Sequence, residues 1–514
     1  MHSLVLPILL LIPLVGSLVV FALPTGEDLL VKWIALGTSL IVLVYAVVLA
    51  FAFDPKGARF QFRGSWPWIS TIGARLSFGA DGIAVVLVVM AALLVPAVIL
   101  ASWSTVDSDE DAEESKASGK SVKTFFGLIL LLEVFMLGVF VALDVFLFYV
   151  FFEAMLVPMY FIIGMYGGPR RQYAAMKFFL YSLLGGLLML AAVIGLYVTA
   201  GKGTFSFPAL IGAVPDGPSQ KLLFLGFFIA FAIKAPLVPF HTWLPDAGAE
   251  APFGGAALLV GVLDKVGMFG FLRYCLPLFP GASQYFAKPI LVLCVIGVLY
   301  AAFLAMGQRD MKRFVAYTSV AHFGFIGLGV FAFTTQGGTG AVFYMFNHAL
   351  STGALFLVVG FLIIRGKSRE ISDYGGTAKV TPRLGGAFLL AGLSALALPG
   401  MSTFVSEFLV LVGTFTRHKG FAIVATSGII LAALYVLLLF QRSMQGTVSS
   451  AVRRFRDLNV REMLAVGPLI ALIIVFGVYP KPLLNIINPA VQATMHDIGK
   501  TDPPPKVPLA GETK

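Results

Sequence analysis

The chain has 514 residues, of which 59% are hydrophobic and 12% charged, and its mean hydropathy is +0.93. Soluble domains carry about 25% charged residues, so a soluble globular protein is excluded. The formal charge of +10 belongs with basic loops at lipid headgroups rather than with nucleic-acid binding. Apolar runs of about 20 residues point to membrane helices, because a barrel would show alternating segments of about ten. Fourteen spans are predicted, at 3–23, 31–53, 82–103, 124–143, 145–166, 173–199, 221–240, 251–273, 289–306, 314–333, 339–364, 384–413, 421–441 and 462–484. The first lacks a basic n-region and a clear cleavage site, and reads as a span rather than a removable signal. Between the fourth and fifth spans Asp144 is the only charge separating two long apolar runs. The longest loops are 54–81, with Trp66 and Trp68, and 104–123, whose acidic run "DSDEDAEESK" reads as a solvated loop. Cys275 and Cys294 are the only cysteines, and they supply no disulfide framework and no iron–sulfur or haem motif.

Lysine and arginine set the expected orientation. With the N-terminus outside, the inner loops hold "PRR" at 169–171, "QRDMKR" at 308–313, "RGKSR" at 365–369 and "RRFR" at 453–456, against a basic outer loop at 54–81. The bias predicts both termini outside. An internal echo is also present. "YSLLGGLLML" at 181–190 resembles "NHALSTGALF" at 347–356, and Pro236 in the seventh span pairs with Pro399 in the twelfth. Two five-helix copies follow, at 124–273 and 289–441, flanked by helices 1–3 within 1–123 and a last helix at 462–484. Five is odd, so the second copy enters the membrane from the other side. The expected fold is therefore all-α: a polytopic membrane protein of about 14 transmembrane helices with two inverted five-helix repeats and broken helices.

Ionisable residues inside such spans are costly and mark function by default. Those singled out are Glu133, Glu153, Lys234, Asp264, Lys265, His322, His348 and Glu407. Lys234 sits two residues before Pro236, and Glu407 follows Pro399, so charge and helix breaker coincide twice. Each residue also admits a plainer reading. Lys234 lies roughly 9 Å from the end of its span at about 1.5 Å per residue, within partial snorkelling reach. His322 and His348 read equally as hydrogen-bonded interhelical histidines, and Asp264–Lys265 as a local charge pair. The set argues for more. No Walker loop, GxGxxG after a strand or CxxC accompanies it, which leaves protonation chemistry. Two charges about 7 Å apart at an effective dielectric near 20 interact by roughly 2.4 kcal/mol, enough to move a buried lysine or carboxylate across physiological pH. Acids, lysines and histidines bridged by water make a proton relay.

Five motifs in order, "FAIKAPLVPFHTWLPDA", "GVLDKVGMFGFLR", "DMKRFVAYTSVAHFGFI", "HALSTGALF" and "PGMSTFVSEFL", resemble the antiporter-like subunits of respiratory complex I, the proton-pumping NADH:quinone oxidoreductase. The superfamily also contains subunits of multisubunit Na+/H+ antiporters and membrane hydrogenases. Of the bacterial paralogues L, M and N the chain looks like M, because the twelfth span carries Glu407 where L and N usually have lysine, and the long lateral helix of L is lacking.

The resemblance implies an acid–base pair in Glu153 and Lys234, a central link in Lys265, carriers in His322 and His348, and a terminal site in Glu407. Glu133 and Asp264 are possible additions, and His241 is structural or peripheral. It further implies a translocase subunit in the bacterial inner (plasma) membrane that does no redox chemistry and binds no cofactor. NADH, FMN, iron–sulfur clusters and quinone would belong to other subunits, and the partners would be other complex I membrane subunits, including L and N. The alternative is a subunit of a multisubunit Na+/H+ antiporter. Two departures stand out. The family's usual "PDAHTEAPT" is here "PDAGAEAPF", with Gly248 and Phe253, and the usually apolar residue before the central lysine is Asp264.

Overall fold

The computed structural model describes residues 2–104 and 121–504. The acidic run at 107–116 lies outside the described residues. Helices α1 (Val5–Ala22), α2 (Asp28–Ala52), α3 (Gly82–Ala101), α4 (Val122–Val141), the pair α5 (Val145–Ala154) and α6 (Leu156–Tyr166), and α7 (Arg171–Ala200) open the chain. Then come α8 (Pro218–Lys234), α9 (Trp243–Glu250), α10 (Phe253–Leu278), α11 (Pro280–Met306), α12 (Met311–Phe331) and α13 (Thr335–Gly366). The last are α14 (Pro382–Ala395), α15 (Ser402–Arg417), α16 (Lys419–Met444), α17 (Val460–Val478) and α18 (Lys481–Asp497).

Among the described residues twelve spans are long and apolar enough to cross a membrane, with α5 and α6 counting as one. The other two predicted crossings are the broken pairs α8–α9 and α14–α15, whose halves are each too short alone. Bilayer length explains the distinction, since about 20 helical residues match the hydrocarbon core. Outward faces such as Leu180, Leu184, Leu187 and Val198 on α7 are exposed and apolar, as lipid-facing surfaces must be. Helix α10 is buried along its whole length, against α3, α8 and α13.

Two segments differ from expectation. The predicted loop 54–81 contains an antiparallel hairpin, β1 (Gln61–Ile69) and β2 (Ala74–Ala80), with Trp66 opposite Leu76. Pro67 and register shifts on either side blur its alternation in sequence. The predicted last span 462–484 is really two elements, because α17 ends at Val478 and α18 follows. Helix α18 buries Ile487, Ala490, Val491, Thr494 and Met495 on one face. It carries Pro482 and Pro489 and is too polar to look like a span. Arg59 beside the hairpin pairs with Asp497 at its end, 2.6 Å away.

Helix starts follow capping chemistry. The Asp144 carboxylate accepts from the Phe146 and Leu147 amides, and Asp310 accepts from those of Lys312 and Arg313. These two caps open corresponding helices of the two copies and share their surroundings. Val145 N donates to Phe205 O and Phe207 N to Leu143 O, while Met311 N donates to Arg369 O and Ile371 N to Arg309 O. The helix breaks match as well. Ala235 N→Phe231 O, Leu237 N→Ala232 O and Phe240 N→Leu237 O recur, all at one constant offset, as Leu396 N→Gly392 O, Leu398 N→Leu393 O and Met401 N→Leu398 O. The repeat is thus written in backbone hydrogen bonds. Pairing Pro236 with Pro399 falls out of that register. Pro236 corresponds instead to Ala397, which takes a left-handed φ of 57°, and Pro399 corresponds to Val238.

A buried ion pair secures α10 to the start of α3. Arg273 Nη2 donates to Asp81 Oδ1 at 2.6 Å, both side chains being almost wholly buried. Asp81 also caps α3 through the Ala84 amide. Breaking one half of a buried pair costs about 3–5 kcal/mol, whereas replacing both halves costs much less. Arg273→Leu is therefore expected to lower the unfolding midpoint of the purified protein. Arg273→Leu with Asp81→Asn is expected to recover much of the loss, and a thermal melt of each variant checks the order.

Candidate functional site

At the first break α8 stops at Lys234 and the chain resumes helix at Trp243. Pro236 has no amide to continue the ladder. The indole of Trp243 donates to Ile233 O at 2.8 Å and closes one carbonyl left open there. Lys234 is buried, and its ammonium has no hydrogen-bond acceptor among the described residues. It lies over the Phe152 ring at 4.7 Å and near that of Phe178 at 5.9 Å. A desolvated cation gains about 2 kcal/mol from such a face. The next residue along α5 is Glu153, which interacts with Lys234 electrostatically without an ion pair within 4.0 Å. Its Oε1 is buried and unpartnered. Room for this carboxylate is made by Gly186 of α7, where an added Cβ would collide with Oε1.

The second cluster centres on Lys265 of α10. Its Nζ lies 3.1 Å from Asp264 Oδ1 and 2.6 Å from His348 Nδ1, and it also donates to Val260 O. Neighbours at i and i+1 do not face each other on a regular α-helix. Here the π turn Leu259–Leu263 precedes the pair, and Asp264 N reaches back to Leu259 O. That distortion brings the two side chains together. His348 of α13 continues the row. Its Nε2 meets Ser319 Oγ at 3.1 Å, and its ring stands edge-on to His322 with centroids 5.1 Å apart. His322 Nε2 donates to Ala395 O, the last helical carbonyl before the second break, at 2.9 Å. Beyond that break Glu407 accepts from the Tyr344 hydroxyl at 2.9 Å, and its Oε1 is buried without a partner among the described residues.

The predicted residues fall into two groups: Glu153 with Lys234, and Asp264, Lys265, His348 and His322 in direct contact, with Glu407 reached through Tyr344. Glu133 is fully buried on α4, and neither carboxyl oxygen has a hydrogen-bond partner among the described residues. His241 packs its ring on Tyr300. Several residues were not singled out from sequence. Asp246 of α9 binds Lys177 of α7 at 2.6 Å and Arg313 of α12 at 2.5 Å, and so ties the two copies together. Glu250, inside the departed "PDAGAEAPF" segment, binds Arg369 at 3.1 Å. Buried Lys312 donates to Ala251 O. Tyr344 stands one helical turn before His348, on the same helix face, and that spacing is the signal that could have found it.

A membrane protein with ionisable side chains gathered at two broken helices is built as ion transporters are. A family model described as "NADH:quinone oxidoreductase/Mrp antiporter, TM" matches residues 142–432, and the chain belongs to that family. The NADH-quinone oxidoreductase subunit M of Mycobacterium tuberculosis is 48% identical over 98% of this chain and 96% of its own. A chain of respiratory complex I from Thermus thermophilus superposes with a TM-score of 0.86 at 31% identity, covering 97% of this chain and all of that one. A chain of the Mrp complex from Dietzia sp. shares the fold, with a TM-score of 0.81 at 21% identity over 97% of this chain and 99% of its own.

The tight seat of Glu153 is testable. Gly186→Ala must displace the carboxylate from its present seat. It is expected to impair proton transport by the assembled protein about as much as Glu153→Gln. Gly164→Ala, whose Cβ would meet nothing closer than 3.4 Å, is expected to leave transport unchanged. Proton uptake into vesicles measures both.

Proposed function

We propose that this chain is the M-type proton-translocating membrane subunit of NADH:quinone oxidoreductase, a translocase component driven by redox chemistry in other subunits. The observation that carries the reading is the row of buried ionisable side chains at two helix breaks. Glu153 and Lys234 form the first acid–base pair, Lys265 the central link, His348 and His322 the carriers, and Glu407 the terminal site. The curated relative's name and the complex I superposition support the assignment to that enzyme. NADH, FMN, iron–sulfur clusters and quinone belong to other subunits on this reading, and L- and N-type paralogues are the neighbours. The basic loops at 169–171, 308–313, 365–369 and 453–456 support both termini on the outer side of a bacterial inner membrane.

Proton transfer here needs no cofactor. Lys234 exchanges a proton with water admitted at the break, and the Glu153 carboxylate stabilises its charged form. A change at one partner alters the proton affinity of the next. Lys234→Ala in the assembled enzyme is expected to lower proton pumping by about tenfold, a barrier change of about 1.4 kcal/mol. NADH-driven turnover is expected to fall with it. Wild-type pumping by an assembled Lys234→Ala enzyme refutes the relay. Pumping that requires sodium, in a complex isolated without NADH-oxidising subunits, favours a Na+/H+ antiporter instead.

A further inference from the structure

Between the histidine pair and Glu407 the structure places a residue that the relay as read above does not assign. Tyr344 of α13 is fully buried. Its ring packs on that of His322, with centroids 5.9 Å apart and planes at 42°. Its hydroxyl donates to Glu407 Oε2 at 2.9 Å. Further along the helix, Asn347 donates to Ser402 O at 2.9 Å and lies 3.4 Å from Ser406 Oγ, so this face of α13 is pinned against the start of α15. The two oxygens of Glu407 are therefore unequal. Oε2 is occupied by the phenol, and Oε1 is buried with no partner among the described residues. His322 is unequal too, because Nε2 is committed to Ala395 O while Nδ1 is buried and unpartnered.

We propose that Tyr344 is a positioning residue of the proton path, holding Glu407 by Oε2 so that Oε1 is the atom that gains and loses the proton. The inference rests on the relay reading above. Its chemistry is simple. A hydroxyl that donates to an ionised carboxylate favours a single rotamer and a single charged acceptor. The proton then adds to the oxygen that has no donor in front of it. The same phenol spans from His322 to Glu407, so a shift of the imidazole against the ring is passed to the carboxylate. Tyr435 of α16 is a further buried titratable group that interacts electrostatically with Glu407. Lys265 and His348 lie behind His322 and act through it.

The test uses the assembled enzyme in vesicles with Tyr344→Phe, Glu407→Gln and the double variant. Phenylalanine keeps the ring contact with His322 and removes only the hydroxyl. Tyr344→Phe is expected to lower pumping by about tenfold, the rate equivalent of one hydrogen bond to a charged group. The double variant is expected to match Glu407→Gln alone, because the tyrosine acts only through that carboxylate. In infrared difference spectra the carboxyl band that vanishes in Glu407→Gln is expected to shift in Tyr344→Phe, which a merely structural tyrosine would not cause. An unshifted band with normal pumping in Tyr344→Phe, beside an impaired Glu407→Gln, overturns this inference and leaves the relay standing. Normal pumping in Glu407→Gln overturns both. Multiplying defects in the double variant overturn the positioning role.

Discussion

Inside a bilayer every backbone N–H and C=O must find a partner within the protein, at a cost of several kcal/mol for each that does not. The rest of this molecule is arranged around that constraint at two places, residues 235–242 and 396–401, where crossing helices stop and restart. The solutions correspond. In the first copy Ile233 O accepts from the indole of Trp243. In the second the matching carbonyl, in the register set by the backbone bonds, is Ser394 O, which accepts from the Thr403 hydroxyl. Each half-helix thus returns one side chain to close the half before it. The carbonyl one step further differs in use. At the position of Lys234 the second copy has Ala395, whose carbonyl holds His322. A backbone group freed by the break thereby fixes one ring nitrogen of a relay histidine and leaves the other open.

The charges obey the same constraint. Where an acid and a base must stay fixed they are paired tightly, as in Asp81–Arg273 and in Asp246 between Lys177 and Arg313. Where the proposed chemistry needs exchange, partners are missing: Lys234 Nζ, Glu153 Oε1, His322 Nδ1 and Glu407 Oε1 have none among the described residues. Other buried polar atoms also lack a partner among the described residues, Asp81 Oδ2 and Arg273 Nη1 included, so what sets these four apart is their place on or against the segments around the two breaks. Lys265 stands between these extremes, held by Asp264 on one side and His348 on the other.

Much of this was legible from residues alone. Span positions follow from hydropathy, since helix length and bilayer thickness are coupled, and the Asp144 boundary is visible because an aspartate between apolar runs is a helix cap. The ionisable set stands out for the same reason, as charge is rare among such neighbours. The hairpin at 61–80 and α18 were not legible. The hairpin's alternation is blurred by Pro67 and register shifts, and α18, though amphipathic, carries Pro482 and Pro489 and is too polar to read as a span. The register of the second break was misread because prolines attract the eye, whereas the backbone pattern is kept by Ala397 in a left-handed conformation. Asp246 needed coordinates, because an aspartate in a short helix has many innocent uses and only its partners distinguish them, whereas Tyr344 left a signal in its spacing one turn before His348.

The repeat register gives the two breaks a further meaning. Asp246 and Glu407 fall in step with it, so the same backbone position carries a carboxylate in both copies. In the first copy that carboxylate is clamped by two cations, and the titratable group is the lysine at the end of the preceding half-helix. In the second copy the lysine position is Ala395, no cation among the described residues pairs with the carboxylate, and a phenol holds it instead. The two matching breaks thus carry opposite kinds of group without a partner among the described residues, a base at the first and an acid at the second. On the relay reading Lys234 passes between cation and neutral amine, and Glu407 between neutral acid and anion. A passing positive charge therefore lowers the proton affinity of both sites, and the lysine–histidine centre between them drives both toward release when it is charged.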